Sequence, residues 1–188
     1  MKWVRRVLVG LVALPVLASV GLLLAGQRRG AGRTGDRLAI ARPPADVFHH
    51  IEDEALFKKW TGIVDVKSQA NPWLQPGARS HMVSEARGQR IEVEVEVTAV
   101  ERDRRLAFTL RSGTGAPVVF TQAVEYRLED RDGSTRLIVA TETHYEGLVP
   151  RLFEPLITRA AQNRLEATLD RLRVQVEAAP MVRRDPKP

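Results

Sequence analysis

Ile91-Glu92-Val93-Glu94-Val95-Glu96-Val97-Thr98 alternates strictly between apolar and polar residues. Successive side chains of a β-strand point to opposite faces, so this stretch is a strand with one Ile/Val face for a core and one glutamate face. Glutamates two apart are also a pattern for a metal site or an acid/base pair. Neighbouring segments supply Arg105, Arg111 and Arg127 on matching faces, so the stripe reads as cross-strand charge pairing in solvent.

Working outward, similar patterns recur near residues 37–42, 63–69, 78–86, 104–111, 117–129 and 134–145, making seven strands with the one at 90–101. Asn71-Pro72, Pro76-Gly77, Arg87-Gly88, Gly113-Thr114-Gly115 and Asp132-Gly133 supply turns between them. Parity assigns an inner face to Ser80, Met82 and Ser84, to Leu106, Phe108 and Leu110, to Val118, Phe120, Gln122, Val124, Tyr126 and Leu128, and to Leu137, Val139, Thr141 and Thr143. Pro43-Pro44 ends the first strand and opens two short helices, near 45–51 and 54–60, with Val47, Phe48, Ile51, Leu56, Phe57 and Trp60 as their apolar side. Trp60 should therefore be buried, and Trp73, between Pro72 and Pro76, should be more exposed.

The last element, 148–176, is helical. Val149, Leu152, Phe153, Leu156, Ala160, Leu165, Leu169, Leu172 and Val176 form a stripe at helical spacing. Pro155 requires that the regular helix start near Glu154 or kink there. A one-faced antiparallel sheet and a one-faced helix make an α+β domain. The expected architecture is a sheet curved around the helix, with the two apolar faces closing on each other.

The charge is unevenly spread. The chain of 188 residues carries a net charge of +6. Residues 1–42 hold eight basic groups and one acid, whereas 43–177 hold 18 basic and 21 acidic groups. A nucleic-acid-binding domain needs a basic folded face, so this balance argues against a nucleic-acid partner. There is no cysteine, which excludes disulfides, thiolate catalysis and cysteine-ligated zinc.

Residues 7–26 form a run of 20 residues without a charge. As a helix the run covers roughly 30 Å, the thickness of a bilayer core. It reads as an uncleaved single-pass transmembrane anchor behind a basic flank, 1–6. A cleaved signal peptide and a soluble buried helix are the competing readings. Against cleavage, the run exceeds the usual apolar length, and Leu stands in the −3 place for a cut after Ala25 or Gly26. Three Lys/Arg precede the run and five follow it within 27–42, a margin that does not fix the side of the membrane on which the domain lies. Residues 27–36 read as a flexible glycine-rich linker and 178–188 as a disordered tail.

No catalytic constellation stands out. There is no Gly-x-Ser-x-Gly and no His-Glu-x-x-His. His49 and His50 are adjacent on a helix and diverge by about 100°, so they do not easily share a metal, and one of them should face solvent. His81 and His144 share parity with outward residues. No catalytic residue, metal ligand or cofactor is therefore assigned.

The element order, with Ile40-Ala41-Arg42-Pro43-Pro44-Ala45-Asp46-Val47-Phe48, Trp60-Thr61-Gly62-Ile63-Val64, Pro76-Gly77, and Thr135-Arg136-Leu137 leading to Glu142-Thr143-His144-Tyr145-Glu146, resembles the helix-grip fold of the START/SRPBCC superfamily. The likeness is to its polyketide cyclase/dehydrase-like and lipid-transport branch and covers residues 37–177. It implies a cavity between sheet and helix for an apolar ligand, and it brings no invariant catalytic motif.

Such sites are mostly apolar with a few orienting polar groups, in roughly 300–1,000 Å³. Met82, Phe108, Phe120, Gln122, Tyr126, Thr141 and Leu156 have that mix and are the candidate lining of a tunnel between sheet and helix. The expected partner is a lipid or other hydrophobic small molecule. Two alternatives stand beside it. One is a cyclase/dehydratase-type enzyme using Gln122, Tyr126, Thr141 or Tyr145 to align a polyketide-like substrate. The other is a structural domain with a filled core, in which these residues only pack.

Overall fold

In the computed structural model, which describes residues 31–70, 72–86, 89–113, 116 and 118–180, the chain begins with strand β1 (Ala31–Ile40). Helices α1 (Pro44–Glu52) and α2 (Glu54–Thr61) follow. Then come β2 (Ile63–Ser68), β3 (Arg79–Ala86), β4 (Gln89–Glu101), β5 (Arg105–Ser112), β6 (Phe120–Arg131) and β7 (Ser134–Tyr145). Two helices end the domain, α3 (Leu148–Leu152) and α4 (Glu154–Ala178). The seven strands form one antiparallel sheet in the order β1-β7-β6-β5-β4-β3-β2. Sequential hairpins build β2 to β7, and β1 closes the far edge against β7. The fold is α+β, as the patterning implies.

Local chemistry explains the elements. Pro44 fits the first turn of α1, where no backbone N–H is needed, and Asp46 suits its positive end. Asp53 caps α2, its carboxylate accepting from Leu56 N–H at 2.9 Å. Asp132 and Gly133 both take positive φ (53° and 83°), which joins β6 and β7 by the tight turn that an Asp-Gly pair favours. Register shifts in β2 and in β4, between Val97 and Ala99, bend the sheet. Phe153 is non-helical (φ −93°, ψ 5°), and Pro155 lies in the first turn of α4. The regular helix thus starts at Glu154, one of the two outcomes that the proline allows.

The core lies where α1, α2 and the C-terminal half of α4 meet the inner sheet face. Ile40, Val47, Phe48, Ile51, Trp60, Leu106, Leu137, Val139, Leu169, Leu172 and Val176 are all buried there.

Several expectations need correction. Residues 31–36, read as linker, belong to β1 and pair with β7 from Ala31↔His144 onward. Backbone pairing overrides a glycine-rich composition once a partner strand is available. Trp73 is more exposed than Trp60, but only at 9% against 0%, because its indole N–H donates to the Glu52 carbonyl at 2.8 Å and its ring packs on Phe57. His50 is buried, its Nδ1 2.9 Å from the Asp46 carbonyl, and His49 is half-buried, so neither stands free in solvent. Of the three arginines expected on the glutamate stripe, Arg111 approaches Glu96, joined there by Arg79, whereas Arg105 and Arg127 pair with Glu125.

The anchor expected at 7–26, its flank at 1–6, residues 27–30 of the linker and residues 181–188 of the tail lie outside the described residues. Among the described residues no helix is long and apolar enough to cross a membrane.

Candidate ligand-binding groove

Helix α4 does not lie evenly over the sheet. Its C-terminal half is clamped into the core. Arg171 Nε donates to the Trp60 carbonyl at 3.0 Å, Ala41 N–H donates to Glu177 Oε1 at 2.9 Å, and Arg42 donates to the Glu177 and Ala179 carbonyls. Its N-terminal half runs beside the free edge of β1. Gln162 bonds both the N–H and the carbonyl of Gly35, at 3.1 Å each. Gly32 lets the helix come close, because a Cβ there would collide with Thr158 Oγ1. The apolar stripe is consequently split. Leu169, Leu172 and Val176 are buried, whereas Val149, Phe153 and Leu156 are more than half exposed.

On the inner sheet face α1 and α2 close one end, whereas Phe108, Leu110, Phe120, Gln122 and Thr141 toward the end where α3 begins are only half-buried. The closed end is aromatic. Trp60 meets Tyr126 edge-on with ring centres 6.5 Å apart, and Tyr126 stacks on Phe108 at 5.8 Å. Burial pushes the ionisation of the Tyr126 phenol upward, so it is a neutral hydroxyl at any physiological pH. Towards the open end the walls become polar. Gln122 Nε2 donates to Thr143 Oγ1 at 2.8 Å, and the hydroxyls of Thr34 and Thr141 share a hydrogen bond of 2.6 Å. Tyr145, directly across from Phe120, has the hydroxyls of Thr143 and Thr158 beside its phenol. Burial raises its ionisation, with Glu154 adding to the effect.

Six of the seven residues expected to line a site lie on this face. Met82 and Tyr126 are buried, and Phe108, Phe120, Gln122 and Thr141 are half-buried. They are not one cluster, since Met82 on β3 is four strands away from Thr141 on β7. Leu156 departs from expectation: it is 67% exposed on α4, because the helix turns this part of its stripe away from the sheet. Depressions of about 210 and 350 Å³ lie elsewhere, on the charged outer face around Arg79, Glu94 and Arg111 and beside Arg37, Arg131 and Arg136. Neither of these depressions lies between the sheet and α4, where the tunnel is expected.

The sequence reading missed Thr34, Asp36 and Thr158. Asp36, opposite Val139, shares the inner register with Thr34 and Leu38 and is half-buried. The signal was the alternation Thr34-x-Asp36-x-Leu38-x-Ile40, hidden by Gly32 and Gly35. Among the described residues no group of three His, Asp or Glu side chains is placed to hold a metal ion.

A curved seven-stranded sheet gripping a C-terminal helix, with a half-apolar inner groove, defines a helix-grip domain of the START/SRPBCC superfamily. Residues 36–177 match the family described as polyketide cyclase / dehydrase and lipid transport, and the chain belongs to that family. Solved structures with the same fold include Ara h 8.0201 (TM-score 0.64, 17% identity, 80% of this chain and 100% of that one covered). A protein from Chromobacterium violaceum is similar (TM-score 0.62, 16% identity, 79% and 99% covered). So is a conserved protein from Geobacillus kaustophilus (TM-score 0.64, 12% identity, 78% and 94% covered). No curated protein matches the chain.

Proposed function

We propose that the chain is a membrane-anchored single-domain protein that binds a lipid or other hydrophobic small molecule in the groove between the sheet and α4. The observation that carries this reading is the half-buried inner face, where Phe108, Leu110 and Phe120 adjoin the Gln122–Thr143 pair and α4 leans to the β1 edge instead of covering them. An acyl chain would lie on the aromatic end, and a polar head would meet Gln122, Thr141 and Thr143. In this proposal Met82 supports the floor, and Leu156 stands on the outer rim, not in the wall. The anchor at 7–26 would hold the domain beside a lipid phase.

The test is photo-crosslinking of the full chain in vesicles with a diazirine fatty acid, followed by mapping of the labelled peptides. Labels should fall within 106–126 and 137–145, and Thr141→Trp should remove them while leaving the fold intact. Labels confined to 7–26, or unchanged in that variant, would sink the reading.

A cyclase/dehydratase reading finds one specific support in Asp36, a carboxylate on the inner register near Thr141. Both phenols on this face are held neutral and would donate hydrogen bonds rather than act as bases. An enzyme would return the bound molecule with an altered mass, and Asp36→Asn would abolish that change.

A further inference from the structure

Leu148, Val149, Phe153 and Leu156 are 52 to 67% exposed, and all lie within nine residues of chain at the open end of the groove. Val119, also exposed, adjoins them through the Glu146 N–H to Val119 carbonyl bond of 2.9 Å. Large apolar side chains left exposed together at one end of a domain mark a contact surface. Where the chain leaves the described residues indicates what it contacts. Ala31 pairs with His144, only four residues before Leu148, so the N-terminal chain departs from the same end of the domain. Between Gly26, the last residue of the uncharged run, and Ala31 stand only Gln27-Arg28-Arg29-Gly30. Fully extended, that connection spans at most about 17 Å.

We propose that this patch docks on the surface of an anionic bilayer, with Leu148, Val149, Phe153 and Leu156 entering the headgroup boundary and the groove opening toward the lipid. The proposal rests on the anchor reading: a span at 7–26 keeps the patch within one short connection of the membrane. Charge favours acidic headgroups. Arg28 and Arg29 lie in the connection and the exposed Arg159 stands beside the patch, against Glu146 and Glu154, while Arg33 and Glu142 pair with each other at 3.3 Å. Side chains of this type bury their apolar surface at the interface while basic groups meet the phosphates. The same patch would be the port through which a membrane lipid reaches the groove without crossing water.

The absence of cysteine makes the test direct. Phe153→Cys, Leu156→Cys and, as a distant control, Val174→Cys each give a full-length chain with one thiol for an environment-sensitive fluorophore. Val174 is exposed on the same helix, about 27 Å beyond Leu156. Each labelled chain is reconstituted into phosphatidylcholine/phosphatidylglycerol vesicles, and quenching by spin-labelled lipid is read. Labels at 153 and 156 should be quenched several-fold more than the label at 174, and less so when phosphatidylglycerol is omitted. Quenching at 153 and 156 no greater than at 174, in chains that float with the vesicles, overturns the docking while the anchor stands. Labels shielded from water yet not quenched by lipid show that the patch is covered by a second copy or by the chain's own apolar run, and this also overturns it. Failure to float with the vesicles removes the anchor reading and the docking together.

Discussion

Gln162 and Gly35 are joined as two strands would be. The amide nitrogen of Gln162 donates to the Gly35 carbonyl and its oxygen accepts from the Gly35 N–H, each at 3.1 Å. β1 is an edge strand, and an open edge invites pairing with another chain. One side chain on α4 thus blunts the edge and at the same time draws the helix away from the inner sheet face.

Gln162→Ala should therefore free both backbone groups. The expected cost is about 1–2 kcal/mol, because the site is exposed and water replaces the lost partners in part. Hydrogen exchange is the sharper measurement: the Gly35 amide should lose protection far more than amides of β5 or β6.

Gly32→Ala places a Cβ against Thr158 Oγ1 and near the Tyr145 ring. A loss of about 1–3 kcal/mol is expected, as for other overpacked contacts. If the collision is the cause, Thr158→Ala in the same chain should recover most of it. A double-mutant cycle in urea that shows no coupling would place the strain elsewhere.

Trp60 meets Phe57 edge-on and Trp73 meets it at a tilt, with ring centres 5.1 and 5.0 Å away, and each indole N–H has a carbonyl partner. Trp60→Ala should cost about 3–5 kcal/mol, and Trp73→Ala somewhat less, since it lies nearer the surface. Thermal unfolding reads both, and an unchanged midpoint in Trp73→Ala would contradict its burial.

The Glu125 carboxylate is held below the usual range by hydrogen bonds from Arg127 and then Arg105, with partial burial opposing them. A depressed folded value means that the stabilisation is present above the unfolded carboxylate range and is lost as pH falls through the folded value. Glu125→Gln should therefore weaken the fold near neutral pH by at most about 1 kcal/mol, since the arginines are solvent-screened. The difference from the natural chain should shrink as pH drops below about 4. A penalty that stays constant with pH would mean that packing, not charge, is at stake.

Much of this architecture was legible in short-range pattern. The alternation at Ile91–Val97 marks a strand, Asp132-Gly133 a tight hairpin, and Pro155 the start of α4, because each depends on backbone geometry or on side-chain direction within a few residues. The inner positions of Phe108, Gln122, Tyr126 and Thr141 followed from parity alone. Residues 31–36 escaped because glycine weakens the alternation, and only the unpaired edge of β7 makes a strand of them. The depth at which Trp73 is buried escaped because its flanking prolines describe a loop but not what the loop folds onto.

The stripe from Val149 to Val176 shows most clearly where local reading stops. Its spacing determines that 148–176 is helical and that one face is apolar, since a helix brings every third and fourth residue to one side. It does not determine which sheet, edge or surface meets each turn. That was decided by contacts remote in sequence: Arg171 with Trp60 and Glu177 with Ala41 press one half into the core, while Gln162 and Thr158 hold the other half beside β1. Hydrophobic periodicity is a property of the segment, but its covering is a property of everything packed around it. The half-buried inner face and the exposed rim at Phe153 and Leu156 therefore exist only in the assembled fold.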